Sequence, residues 1–325
     1  MAETIIEVRE LKKHYPVKSS FPFKRTRQSV KAVDGVTFQV QRGETLGIVG
    51  ESGCGKSTLA RLLNRLILPT EGEIKFKGEA LAAMDKEAIR SFRKSVQMVF
   101  QNPYASLNPR RKVGQLIEEP LVIHKAGDKE FRKKRVRELL EIVGLNPRHA
   151  GRYPHEFSGG QRQRINIARA LALQPEVIIC DEPVSALDVS IQAQVLNLLK
   201  ELQATFGLTY VFISHDLNVV RYFCDRIAVM YLGKIVEIGS WEEIYNNPRH
   251  PYTKALLSAV PKESPFTQKE RLILSGDVPS PVNPPKGCRF HQRCPFAKEI
   301  CKTTVPHLKE IKNHAGHKAA CHFAE

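Results

Sequence analysis

The chain has 325 residues, 42% of them hydrophobic and 26% charged, with 50 lysines and arginines against 34 aspartates and glutamates, an excess of +16. That length and balance suit one large globular domain with a smaller appendage. No run of 18 apolar residues occurs, which excludes a membrane-spanning helix, and the positive excess fits nucleotide phosphates, nucleic acid, anionic lipid or an ordinary basic surface.

The opening stretch is charged within its first three residues and lacks an apolar core with a cleavage site, so the chain is expected to stay in the cytosol. "IIEVREL" (5–11) reads as a strand, and the basic "KSSFPFKRTRQSVK" (18–31) as an exposed loop. Residues 30–50 read as strand, turn and strand, punctuated by Gly35 and Gly43. From Lys56, apolar residues at Leu59, Leu62, Leu63 and Leu66 have helical spacing, and Pro69 ends the run. A short strand precedes the Pro/Asn loop "NPYASLNPR" (102–110), and residues 112–145 are mostly helical by pattern. "VIICDEP" (177–183) and "LTYVFISHD" (208–216) read as buried strands on either side of the amphipathic "QAQVLNLLKELQATFG". "RIAVMYLGKIVEIGS" (226–240) reads as a hairpin. Buried strands alternating with helices predict an α/β core with a mainly parallel sheet. Beyond about residue 262 the composition shifts, with Pro265, Pro279, Pro281, Pro284 and Pro285 in a stretch lacking periodicity. Residues 1–262 and 263–325 are therefore expected to form a main domain and a small tail.

"GESGCGKST" (50–58) matches the phosphate-binding pattern G-x-x-x-x-G-K-[ST] between a strand and a helix. Glycines let backbone N–H groups wrap an anion, and the helix start favours negative charge. The loop Gly50, Glu51, Ser52, Gly53, Cys54 and Gly55 would cradle phosphates, with Lys56 as a mobile cation and Ser57 and Thr58 following; Ser57 can ligate Mg2+. Asp181 would hold the magnesium shell, and Glu182 would take a proton from the attacking water or orient it.

"FSGGQRQR" (157–164) resembles the signature of ABC-type ATPases, and the likeness continues in order: Gln101 fits the Q-loop, "SALD" (185–188) the D-loop, and His215 the switch histidine. Tyr15 stands where that family stacks an aromatic on adenine. The resemblance spans about residues 5–260 and implies a P-loop ATPase core, with an antiparallel β subdomain and a helical subdomain beside the parallel sheet. It also implies that Ser158, Gly159, Gly160 and Gln161 of one subunit close on ATP held by another, that Gln101 touches Mg2+ or water, and that Glu182 and His215 serve hydrolysis. "FQNPYASLNPR", "DEPVSALDVS" and "NNPRHPYTKALLSAVP" are further similar to ATP-binding subunits of bacterial dipeptide and oligopeptide importers. That likeness implies a heterodimer with a related ATPase, two membrane permeases, an extracytoplasmic peptide-binding protein, and a peripheral place on the cytoplasmic face of the inner membrane. Nickel or other small-solute import, and a nucleic-acid- or ribosome-associated ATPase, are the alternatives; no nucleic-acid partner is expected on the leading reading.

Cys288, Cys294, Cys301 and Cys321 cluster in the tail, and four thiolates suit Zn2+ or an iron–sulfur cluster. With five and six residues between the first three, the spacing is wider than that of common zinc sites, and Pro295 follows Cys294. Resemblance to importer subunits that carry a [4Fe–4S] cluster favours iron over zinc. His291, His317 and His322 are substitute ligands or, otherwise, surface histidines.

Overall fold

The computed structural model describes residues 3–17, 28–101, 106–260, 272, 274 and 276–324. The expected boundary near residue 262 and most of the basic loop at 18–31 lie outside the described residues. The chain divides into two units, one of Met1–Glu3, Gln41–Thr45 and Glu79–Ile213, the other of Thr4–Val40, Leu46–Gly78 and Ser214–Glu325.

In the first unit, strands Val96–Val99, Val177–Asp181 and Thr209–Ile213 lie parallel, with Val96 opposite Val177 and Asp181 opposite Ile213. The last two strands are buried along their whole length, so their sequences are continuous apolar runs rather than alternating ones. Helices Val113–Ile123, Lys129–Ile142 and Gly159–Leu171 pack on one another through Leu116, Ile117, Leu139, Leu140 and Ile165. They form the helical part that the family likeness implied. Helix Val189–Phe206 ends at Gly207, whose left-handed backbone (φ 64°) releases the chain into the next strand.

In the second unit, strands Ser29–Gln41, Thr4–Pro16 and Glu71–Phe76 lie side by side in that order, the last two antiparallel with Ile6 opposite Phe76. Gly35 was expected to break the first of these strands. It does not: it sits inside the strand at φ 80°, a local irregularity that leaves the strand continuous. A second sheet pairs Thr45–Val49 in parallel with Arg226–Tyr231, which turns back antiparallel as Lys234–Ser240. The first helix here is shorter than its apolar spacing suggested, Lys56–Leu63, because Arg65 turns left-handed (φ 52°).

The chain's last forty residues extend that second sheet. Strand His314–Ala319 pairs antiparallel with Lys234–Ser240, and Lys309–Ile311 pairs with it in turn. Phe290, 1% exposed, packs against Tyr231, Tyr252 and His250 with ring centroids 5.3, 5.5 and 5.6 Å away.

Candidate functional site

The phosphate-binding pattern occupies the turn between the buried strand Thr45–Val49 and the helix Lys56–Leu63. Two glycines are dictated by space. A Cβ on Gly50 would stand 2.1 Å from the Met230 carbonyl oxygen, and one on Gly55 2.0 Å from that of Ala32. Both also have positive φ, 153° and 109°. Gly55 is the N-cap, and no side chain caps the helix. Lys56, only 5% exposed, curls over its own loop and donates to the Gly50 carbonyl at 2.7 Å and the Glu51 carbonyl at 3.0 Å. Burial raises the Cys54 thiol above its ordinary pKa, so that cysteine packs rather than reacts. Such a loop fits a polyphosphate: glycines forced by close backbone, an uncapped helix start, and a cation already at the loop's mouth.

Also in this unit, the Ser214 N–H donates to the Ile48 carbonyl at 3.2 Å, tying the chain just before His215 to the strand that enters the loop. His215 is exposed, and the neighbouring Asp216 caps helix Leu217–Phe223 by accepting from the N–H groups of Asn218 and Val219. Tyr15 is 37% exposed near the end of its strand, with the Lys13 ammonium 5.2 Å from its ring centre.

In the first unit, Asp181 closes its strand and is buried, and Glu182 follows with the positive φ of 48°. That conformation is unfavourable for a glutamate by about 1–3 kcal/mol. It is held by the Glu182 N–H donating to the Ile213 carbonyl at 3.0 Å and by Pro183 after it. Gln101 reaches the same carboxylate, its Nε2 donating to Glu182 Oε2 at 2.7 Å. Two site residues 81 positions apart are thus brought into direct contact. After Glu182 the chain turns tightly, with Ser185 Oγ donating to the Glu182 carbonyl at 3.1 Å, and Asp188 starts the next helix.

The signature segment forms a second helix start. Ser158 Oγ accepts from the Gln161 N–H, and Gln161 Oε1 accepts from the Ser158 N–H at 3.1 Å, a reciprocal cap. Gly160 is required by packing, since a Cβ there would meet Ile191 Cγ2 at 2.4 Å.

The tail cysteines line one cavity of about 330 Å3, together with Phe290, His291 and His322. All four thiols are free, and burial raises Cys288 to about 11 and lifts Cys294 and Cys321 as well. His291 Nδ1 is engaged by the Cys288 carbonyl at 2.8 Å, and His322 Nε2 by that of Thr304 at 2.9 Å. His317 is neither at this cavity nor on the surface as expected. It is fully buried, and its Nε2 meets Glu237 Oε1 at 2.8 Å.

Two groups of the loop's surroundings escaped the sequence reading. The Arg293 guanidinium reaches Glu51 of the phosphate-binding loop with Nη1 at 2.8 Å and Nη2 at 3.2 Å, while the Tyr252 hydroxyl accepts from the Glu51 N–H at 2.9 Å. No local pattern announces either contact.

Comparison with known proteins agrees with this geometry. A family profile described as "ABC transporter" matches residues 33–185, and one described as "Oligopeptide/dipeptide transporter, C-terminal region" matches residues 236–301. The chain is 58% identical to the "Oligopeptide transport ATP-binding protein AppF" of Bacillus subtilis (strain 168), over 99% of this chain and 98% of that protein. It is 53% identical to the "Dipeptide transport ATP-binding protein DppF" of Escherichia coli (strain K12), over 99% and 95%. Among solved structures it resembles the dimeric post-hydrolysis state of the ATP-binding cassette MJ0796 bound to ADP and Pi, at 32% identity and a TM-score of 0.64, covering 73% of this chain and 99% of that one. The described residues contain no helix long and apolar enough to cross a membrane.

Proposed function

This chain belongs to the ABC transporter family of peptide-transport ATP-binding proteins and is an ATPase coupled to transport, and on that premise we propose how its residues divide the work. The substrates are ATP and water. Loop residues Gly50 to Gly55 hold the phosphates through backbone N–H groups, Thr58 follows at the helix start, and Tyr15 stacks on adenine. Lys56 exchanges its two carbonyl partners for the β- and γ-phosphates. Ser57, Asp181 and Gln101 would hold Mg2+, which would neutralise charge on the triphosphate. Glu182 Oε accepts a proton as water attacks the γ-phosphorus; the bond from that phosphorus to the β–γ bridging oxygen breaks, giving ADP and phosphate. His215 steadies the γ-phosphate, and Gln101 holds the Glu182 carboxylate.

The observation that carries this reading is the Gln101–Glu182 contact beside a strained Glu182 backbone. A side chain held at the end of a buried strand and fixed by the Gln101 amide suits a general base. Glu182→Gln in the assembled transporter should leave ATP binding within a few-fold and lower turnover by about 10²–10⁴. Turnover within a factor of three of the parent would remove Glu182 from this role.

The finer reading follows the relatives. Ser158 to Gln161 close on ATP held by a second, related ATPase, so that the γ-phosphate joins two subunits and its loss releases them. The assembly imports di- or oligopeptides through two permeases fed by an extracytoplasmic binding protein, with this subunit on the cytoplasmic face of the membrane. Residues 1–262 act as the ATPase and 263–325 as a tail whose four cysteines hold a [4Fe–4S] cluster, with Zn2+ as the other candidate. The shared cavity supports that assignment, and the raised thiol pKa values mean that loading must displace protons. Copurification from membranes with iron and zinc analysis tests partners and cluster together.

A further inference from the structure

A second cluster of metal-ligating groups lies apart from the four cysteines. Glu243, His314 and His317 each offer one ligand atom, and these atoms lie within 4.8 Å of one another. Glu243 comes from helix Trp241–Asn246, and both histidines come from strand His314–Ala319 at the end of the chain. His317 is fully buried between two carboxylates. Its Nε2 faces Glu237 Oε1 at 2.8 Å, and because a carboxylate only accepts, that nitrogen carries the proton. His317 Nδ1 stands 3.4 Å from Glu243 Oε2 and makes no hydrogen bond. Two carboxylates flanking one buried imidazole call for positive charge, which a second ring proton or a bound metal ion supplies.

Spacing and second-layer contacts fit a metal ion. Two ligands about 2.1 Å from a tetrahedral zinc stand about 3.4 Å apart, and His317 Nδ1 and Glu243 Oε2 are 3.4 Å apart. Glu237 on the far nitrogen of His317 makes the carboxylate–histidine pair that orients metal-bound imidazoles. Gly239 lies under the His317 ring, where a Cβ would press on Cδ2 at 3.0 Å. His314 Nδ1 stands 3.0 Å from Glu243 Oε1, and its Nε2 is 3.2 Å from Arg249 Nη2. Glu243 and His314 are partly exposed, which gives a cation a way in.

We propose that Glu243, His314 and His317 form a binding site for a divalent transition-metal ion, of the zinc class, that staples the C-terminal hairpin to helix Trp241–Asn246. Two imidazoles and one carboxylate suit zinc and its first-row neighbours, with solvent completing the shell. In the loaded site both histidines ligate through Nδ1 and keep a proton on Nε2, so Arg249 gives up its contact with His314 Nε2 while His317 keeps its contact with Glu237. The ion's charge offsets Glu237 and Glu243. Glu237 also accepts from the N–H groups of Arg249 and His250 at 2.6 and 2.9 Å, so the site is anchored to the start of helix Pro251–Ser258, which carries Tyr252 to the phosphate-binding loop.

The test is an anaerobic Co2+ titration of the full chain after chelator dialysis, without nucleotide. Thiolate ligation gives an intense near-ultraviolet charge-transfer band; nitrogen and oxygen ligation gives only weak visible bands. One equivalent of the second kind is expected. Glu243→Gln and His314→Gln, at partly exposed positions, should each weaken that equivalent about 100-fold or more while leaving thiolate-bound cobalt unchanged. Far-ultraviolet circular dichroism confirms that these variants are folded. Cobalt bound only through thiolate, or a thiolate-free equivalent of unchanged affinity in both variants, overturns the proposal.

Discussion

Arg293 and Glu51 show at the scale of single residues how the tail meets the nucleotide loop. The Arg293 side chain is 9% exposed and Glu51 27%, and the guanidinium spans both carboxylate oxygens. Removing one partner leaves a partly desolvated charge, at a cost of about 1–3 kcal/mol once the exposure of Glu51 is allowed for. Arg293→Ala should lower unfolding stability by that amount and also weaken ATP binding, because Glu51 then loses the contact that fixes its place beside Lys56. A double-mutant cycle with Glu51→Gln isolates the pair; additive effects on nucleotide affinity would show that the contact does not reach the loop. The glycines of that loop were legible because no side chain can stand where Gly50 and Gly55 do. The Arg293 contact was not, since its partners are 242 residues apart and nothing local to either predicts a meeting. The Gln101–Glu182 contact was half legible: both residues were expected at the site, but not in direct contact with each other.

Among elements, the buried strands could be read from sequence because full burial leaves continuous apolar runs, as in Val177–Asp181. The C-terminal hairpin could not. "HAGHKA" has no apolar alternation, and it is a strand because Lys234–Ser240 offers it an open edge. What fixes the preceding segment is the ring cluster of Phe290, Tyr231 and Tyr252. Phe290→Ala should cost about 3–5 kcal/mol, read as a fall in the urea midpoint. A loss below 1 kcal/mol would mean that the tail docks by its strand pairing alone.

Across the whole molecule, the nucleotide-loop residues and His215 fall in one unit and Gln101, Asp181, Glu182 and the signature in the other, a division no linear motif order discloses. Global stability should respond to pH through His250. Burial depresses this histidine to about 4, while its unfolded value is about 6.5. Between those values the unfolded chain binds the extra proton, so stability falls as pH falls from 6.5 to 4, by about 3 kcal/mol. Neutral His250 Nδ1 caps its helix by accepting from the Tyr252 N–H, and His250→Asn keeps an acceptor there without the titration. Denaturation at pH 7 and 4.5 should show a smaller acid loss in that variant; an equal loss would assign the sensitivity elsewhere. The hairpin that closes the second sheet has one more consequence. Without it, Lys234–Ser240 would present a row of bare amides and carbonyls beside apolar Ile235, Val236 and Ile238, an invitation to strand exchange between copies. With it, the outermost strand is three residues long and carries Lys309 and Glu310, a poor template for anything else. The chain's final residues thus act as a guard against aggregation, and trimming them should turn a dispersed protein into one that clumps.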